Sequence, residues 1–128
     1  MKKRFHLSEA QLHQQVVNHL RWALPADTAL HHSVNESKGT ARWHRQRLDK
    51  GMHPGWPDLE IIYRGRFIGI ELKSKVGRLS PNQKKCHRAI ILAGGVVEVA
   101  RSLDDVIGFL SQLIPLRGTN DKRTDDAG

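Results

Sequence analysis

The chain has 128 residues, 38% of them hydrophobic, which suffices for one domain with one compact core but not two. Lys and Arg number 21 against 13 Asp and Glu, giving a formal net charge of +8 and a sequence pI near 10.2, a balance that favours polyanionic partners such as nucleic acid. A single cysteine, Cys86, excludes an intramolecular disulfide; no apolar run reaches membrane-spanning length, and no signal-like hydrophobic stretch follows Met1-Lys2-Lys3-Arg4, so the expectation is a soluble, intracellular protein.

In chain order, Ser8-Glu9-Ala10-Gln11 reads as a capping box with Ser8 at the N-cap and Gln11 at N3, and Leu7 and Leu12 are spaced for a hydrophobic staple. Leu12, Val16 and Leu20 then recur every four residues until Pro25 stops the helix. Ala29 to Val34 reads as a short strand, weakened by His31 and His32. Lys38 to Lys50 is polar, basic and in part helical, with the loop Gly51-Met52-His53-Pro54-Gly55 behind it. Leu59 to Tyr63 and Phe67 to Leu72 are rich in β-branched and aromatic residues and separated by Arg64-Gly65-Arg66, which makes them a hairpin. Ser80-Pro81-Asn82-Gln83 opens another helix, with Ser80 as N-cap, Pro81 at N1 and Gln83 at N3, and Gly94-Gly95 ends it. Val96 to Ala100 is a strand. Ser102 starts a last helix whose apolar stripe is Leu103, Val106, Ile107, Leu110 and Ile114. The expected organisation is one domain over residues 1–116 and a polar, disordered tail over 117–128.

Chemistry concentrates around the hairpin. If it turns through Arg64-Gly65, facing residues have numbers summing to 129, so Asp58 faces Glu71. Directly opposed side chains have Cβ atoms about 4.5–5.5 Å apart, where two like charges destabilise unless something compensates them. Alternation puts Lys73 on the Glu71 side of its strand and Ile68, Ile70 and Leu72 on the other. A hard divalent cation is the simplest compensation, because Mg²⁺ is commonly held by one or two carboxylates plus water and phosphate oxygens. Such a cation polarises a phosphoryl oxygen and acidifies a bound water, and a nearby lysine can orient that water or offset developing charge. The competing structural reading is a Glu71–Lys73 ion pair on an exposed sheet face, with Asp58 a turn residue after Pro57.

Glu9 falls within about 20° of Val16 and Leu20 around the first helix, on its apolar face; alternatively it simply complements the helix dipole. Gln83 either only completes its capping box or uses the helix face it shares with His87 and Ile90. Between Arg64 and Arg88 lie eight Lys or Arg and one acid, Glu71, a net +7. An exposed solubilising surface accounts for any one of these lysines; their clustering points to phosphate contact. Arg45, Arg47, Lys75, Arg78, Lys84, Lys85 and Arg88 are the candidate DNA-binding residues.

Gly55-Trp56-Pro57-Asp58-Leu59, Gly69-Ile70-Glu71-Leu72-Lys73, Gly77-Arg78-Leu79-Ser80-Pro81-Asn82-Gln83, Ala93-Gly94-Gly95 and Val99-Ala100-Arg101-Ser102-Leu103, in that order, resemble the virus-type replication-repair nuclease (VRR-NUC) domain of the PD-(D/E)XK superfamily. The resemblance runs from about Ser8 to Leu113. It implies an α/β fold with a restriction-endonuclease-like core, a mixed β-sheet flanked by helices in the order α-β-β-β-α-β-α. It also implies metal-dependent cleavage of DNA that leaves a 5′-phosphate and a 3′-hydroxyl. By resemblance Asp58 and Glu71 are the metal-binding acids and Lys73 the catalytic lysine. The Leu72 backbone carbonyl is a further ligand, Glu9 the acid of the first helix, acting on the metal directly or through a water, and Gln83 the glutamine after the Glu-x-Lys strand. The implied cofactor is Mg²⁺, with Mn²⁺ able to substitute. The implied substrate is branched DNA such as four-way junctions, cut by a homodimer with no membrane association. The chain looks like the stand-alone form of bacterial or phage-infected cytoplasm, with Trp22, Trp43 and the last helix as candidate apolar contacts between protomers.

Three other readings compete. A non-catalytic DNA-binding protein would not need Asp58, Glu71 and Lys73 together. A monomeric flap or single-nick nuclease shares the site but not the pairing. A zinc protein would have to use His31, His32, His44 and His53, which lack regular ligand spacing and cysteine partners. Trp56, beside Asp58, is either core or a substrate contact, and Cys86 reads as a small buried hydrophobe.

Overall fold

The computed structural model describes residues 6–33, 41–51 and 53–118, apart from the side chains of residues 41, 43, 44 and 47. Its elements are α1 (Glu9–Ala23), β1 (Thr28–His32), α2 (Ala41–Asp49), β2 (Leu59–Tyr63), β3 (Arg66–Leu72), α3 (Pro81–Leu92), β4 (Val96–Ala100) and α4 (Leu103–Leu110). The class is α/β, and the mixed four-stranded sheet has the order β1-β2-β3-β4. α2 adds a helix between β1 and β2 that the expected element order lacks. Val34, the expected end of the first strand, and Met52 lie outside the described residues.

Local chemistry sets most boundaries. At the start of α1 the Ser8 hydroxyl accepts from the Gln11 N–H at 3.1 Å, and the Gln11 side chain accepts from the Ser8 N–H at 2.9 Å. Leu24 exits in an extended conformation, as a residue before proline must. The β2–β3 register pairs Tyr63 with Arg66 and Leu59 with Ile70, so β3 begins at Arg66 and the turn is Arg64-Gly65 alone. Both turn residues have positive φ, 52° and 79°, the two-residue geometry that matches the twist of the strands. α3 leaves through Gly94 at φ 101°. α4 ends earlier than its apolar stripe suggests. Residues 111–113 tighten into turns ahead of Pro115, and Ile114 reaches the core from beyond the helix end, 2% exposed.

The chain divides into two compact units. One comprises Met1–Thr28, Leu72–Gly77 and Val99–Gly128. There α1 packs on α4, and Leu12, Val16, Leu20, Leu72, Ala100, Val106 and Leu110 are buried. Arg117 and Gly118, which the sequence assigns to the polar tail, dock on this unit. The Arg117 N–H donates to the Ala23 carbonyl at 2.8 Å, its guanidinium lies 5.6 Å from the Trp22 ring centre, and a Cβ on Gly118 would stand 2.5 Å from that ring. Residues 119–128 of the tail lie outside the described residues. The other unit comprises Ala29–Glu71 and Arg78–Glu98. Leu59, Ile61, Ile68 and Ile70 fill one face of its hairpin. Gly69 and Glu71, on the opposite face of β3, are buried as well, so this strand is covered on both sides.

Candidate active site

The site is built around Glu71, a carboxylate 1% exposed near the end of β3. α3 supplies two side chains to it, one helical turn apart. Gln83 Nε2 donates to Glu71 Oε2 at 3.1 Å, and His87 Nε2 lies 3.1 Å from Glu71 Oε1. With Glu71 ionised, His87 Nε2 is the donor in this contact, because an ionised carboxylate only accepts. Gln83 also completes the helix cap, its Oε1 accepting from the Ser80 N–H at 2.8 Å while Ser80 Oγ accepts from the Gln83 N–H at 3.1 Å. Gln83 therefore does more than complete its cap: the carbonyl end of the amide caps α3 and the NH₂ end donates to the acid.

The loop before β2 is pressed onto the same face of the hairpin. Gly55 has φ 82°, and a Cβ there would sit 2.4 Å from the Asn82 carbonyl oxygen and 2.7 Å from the Gln83 nitrogen. Only glycine allows this approach to the first turn of α3. Pro57 lies over Gly69, where a Cβ would come within 2.9 Å of the proline ring. Asp58 follows, half-buried, its carbonyl accepting from the Ser33 N–H at 2.9 Å. The β2–β3 register ends at the pair Leu59–Ile70, so Asp58 and Glu71 each stand one residue beyond the last paired position. Trp56 turns to structure: its Nε1 donates to Glu60 Oε2, Ser33 Oγ donates to the same oxygen at 3.4 Å, and its ring meets Phe67 edge-on at 5.6 Å.

In the other unit, Glu9 Oε2 accepts from the Ser74 N–H at 3.3 Å, and Ser74 Oγ accepts from the Gly77 N–H at 3.0 Å. A Cβ on Gly77 would stand 2.9 Å from Glu9 Oε2. Arg101 Nη1 donates to the carbonyls of Ser74 and Gly77, both at 2.7 Å. The backbone that follows Lys73 is thereby held from two sides, by an acid and by a guanidinium. Lys73 itself is half-buried, and its N–H donates to the Ala100 carbonyl at 3.0 Å, carrying the strand pairing past the end of β3.

A family model described as the VRR-NUC domain matches residues 4–104. The chain belongs to the VRR-NUC domain family. A solved structure named as a VRR_NUC domain protein is 24% identical, with a TM-score of 0.65 over 91% of this chain and 93% of that one, a likeness of fold. No curated protein matches the sequence.

The chain thus brings Gln83 onto Glu71, leaves Asp58 directly before the first paired residue of the hairpin, and ties Glu9 to the segment after Lys73. Among the described residues no three His, Cys, Asp or Glu side chains converge as a ligand group; His31, His32 and His53 are exposed, and the His44 side chain lies outside the described residues. The donor chemistry nevertheless suits a hard cation, since Mg²⁺ is commonly held by one or two carboxylates and completed by water and phosphate oxygens. Of the candidate DNA-binding residues, Arg45, Lys75, Arg78, Lys84, Lys85 and Arg88 are exposed, and the Arg47 side chain lies outside the described residues. Two contributors were named in the sequence reading but given no role in the site. His87 could have been found by its i+4 spacing from Gln83. Arg101 carries no local signal, because its partners lie more than twenty residues away.

Proposed function

We propose that this VRR-NUC domain is a metal-dependent endonuclease that hydrolyses phosphodiester bonds in DNA. The observation that carries the reading is Glu71, a buried carboxylate with a partner at each oxygen, one residue past the last paired position of the hairpin. Burial of an acid is costly unless it is satisfied and used, and such groups concentrate at functional sites. Membership of a nuclease-type family supports the same reading, as does the net charge of +8.

In this proposal Asp58 and Glu71 hold Mg²⁺ or Mn²⁺, with the Leu72 carbonyl and Glu9 as further oxygen donors. The bound cation supplies Lewis-acid polarisation of the phosphate and a water of lowered pKa. Lys73 orients the attacking water or offsets the charge that develops on the phosphate. Exposed Lys84, Lys85 and Arg88 contact flanking phosphates. The substrate proposed is branched DNA such as a four-way junction, cut to 5′-phosphate and 3′-hydroxyl ends by a homodimer, since two related cuts call for two sites.

The test is incubation with labelled linear, flap and four-way-junction DNA. Cleavage should appear with Mg²⁺ or Mn²⁺, and Ca²⁺, larger and less insistent on octahedral geometry, should permit binding with little cutting. Asp58→Asn or Glu71→Gln should abolish cleavage while DNA binding persists. Undiminished cleavage in excess chelator, or by either variant, would sink the proposal.

A further inference from the structure

We propose that His87 is a positioning residue of the active site, whose Nε2–H fixes the Glu71 carboxylate in the orientation that takes the metal ion. The inference rests on the nuclease reading above and adds to it a residue that none of the sequence motifs contains.

Three observations carry it. First, His87 and Glu71 are both buried, 8% and 1% exposed, so their contact at 3.1 Å is shielded from water that would otherwise exchange with it. Second, Gln83 and His87 contact different oxygens of the Glu71 carboxylate. With a donor on each oxygen the carboxyl plane cannot rotate about its terminal bond, a torsion that is otherwise soft. Third, both donors stand on one face of α3, four residues apart, and that helix begins at a cap made by Gln83 itself. The orientation of Glu71 is therefore set by a rigid element.

A purely structural histidine would also explain burial and a hydrogen bond, but the two roles differ in what they do to a cation. A group that orients a ligand controls how its lone pairs meet the metal, and loss of such partners commonly lowers metal affinity or activity about 10–100-fold. A histidine that only fills space changes stability and leaves metal affinity alone.

The experiment titrates Mn²⁺ into wild-type protein, Asp58→Asn, His87→Leu and His87→Gln, following bound ion by electron paramagnetic resonance and folding by circular dichroism. Leucine retains the apolar bulk without a donor, and glutamine restores an N–H. The expected result is Mn²⁺ affinity at least about tenfold weaker in His87→Leu, recovered largely in His87→Gln. Equal affinity in wild type and His87→Leu would overturn the positioning role while the nuclease reading stands. Absence of Mn²⁺ binding by wild type would instead bring down the nuclease reading and this one with it. Should His87→Leu fail to fold, the wild-type protein decides: the Nε2 resonance of His87 in ¹⁵N-labelled protein should shift on adding Mg²⁺, and an unmoved resonance would overturn the proposal.

Discussion

Gln83 shows how one side chain reconciles a local and a distant demand. Its carbonyl accepts from Ser80 and its NH₂ donates to Glu71, so replacing it separates two effects that a simple deletion would merge. Gln83→Glu retains the capping acceptor, since glutamate suits the N3 position of a capping box as well as glutamine does. It also removes a donor from a buried carboxylate and sets a like charge beside it. We expect Gln83→Glu to be destabilised by about 2 kcal/mol in urea unfolding, the worth of one hydrogen bond to a charged group. Were the cap the only contribution of Gln83, the glutamate variant would unfold at the wild-type midpoint.

The hairpin and its preceding loop carry a sharper contrast at the scale of elements. Gly55 and Gly65 both have positive φ, near 80°, but their surroundings differ. Nothing lies within 4 Å of a Cβ built on Gly65, whereas one on Gly55 would enter the backbone of Asn82 and Gln83. Gly65→Ala should therefore cost only the left-handed backbone penalty, about 1–2 kcal/mol. Gly55→Ala should add a clash that no side-chain movement relieves, and should pull the loop that carries Asp58 away from the start of α3. Thermal unfolding of the two variants, with Mn²⁺ affinity as a second reading, checks this. Similar losses in both would mean that the Gly55 contact yields easily. The glycine positions were legible in the sequence as punctuation, but which of them is sterically obligatory depends on a helix whose first residues lie more than twenty-five positions further on.

For the whole molecule the basic excess makes a quantitative prediction. Each phosphate neutralised by a Lys or Arg contributes about 0.9 to the slope of log affinity against log salt on duplex DNA. Replacing Lys84, Lys85 and Arg88 with alanine should lower that slope by about 2–3 if all three contact phosphates, measured by fluorescence anisotropy in Ca²⁺. An unchanged slope would direct attention to Arg45, Lys75 and Arg78. The proposed dimer is checked by sedimentation at micromolar concentration, which should give about twice 14.5 kDa for the protein with and without junction DNA. A strict monomer would favour single-strand nicking. The apolar stripe of α4 is a poor candidate for that interface, because Val106 and Leu110 are fully buried in the packing of α1 and α4. Ile62, Ile91 and Leu92 remain exposed.

The sequence by itself determined what depends on near neighbours along the chain. Both capping boxes, the extents of β2 and β4, and the hairpin register that follows once the turn is placed at Arg64-Gly65 come from local hydrogen bonding and period-two alternation, which act over a few residues. The nine-residue α2 and the early end of α4 were blurred, since a polar helix lacks an apolar stripe and a buried residue after a helix imitates another turn of it. Only the tertiary structure decided which groups satisfy the buried acid. Hydrophobic patterning says that a strand is covered but not by which side chains, and Glu71 meets His87 across sixteen residues because α3 is folded over β3. It likewise decided that Glu9 and Arg101 grip the segment after Lys73, contacts spanning 65 and 27 residues that no local rule encodes.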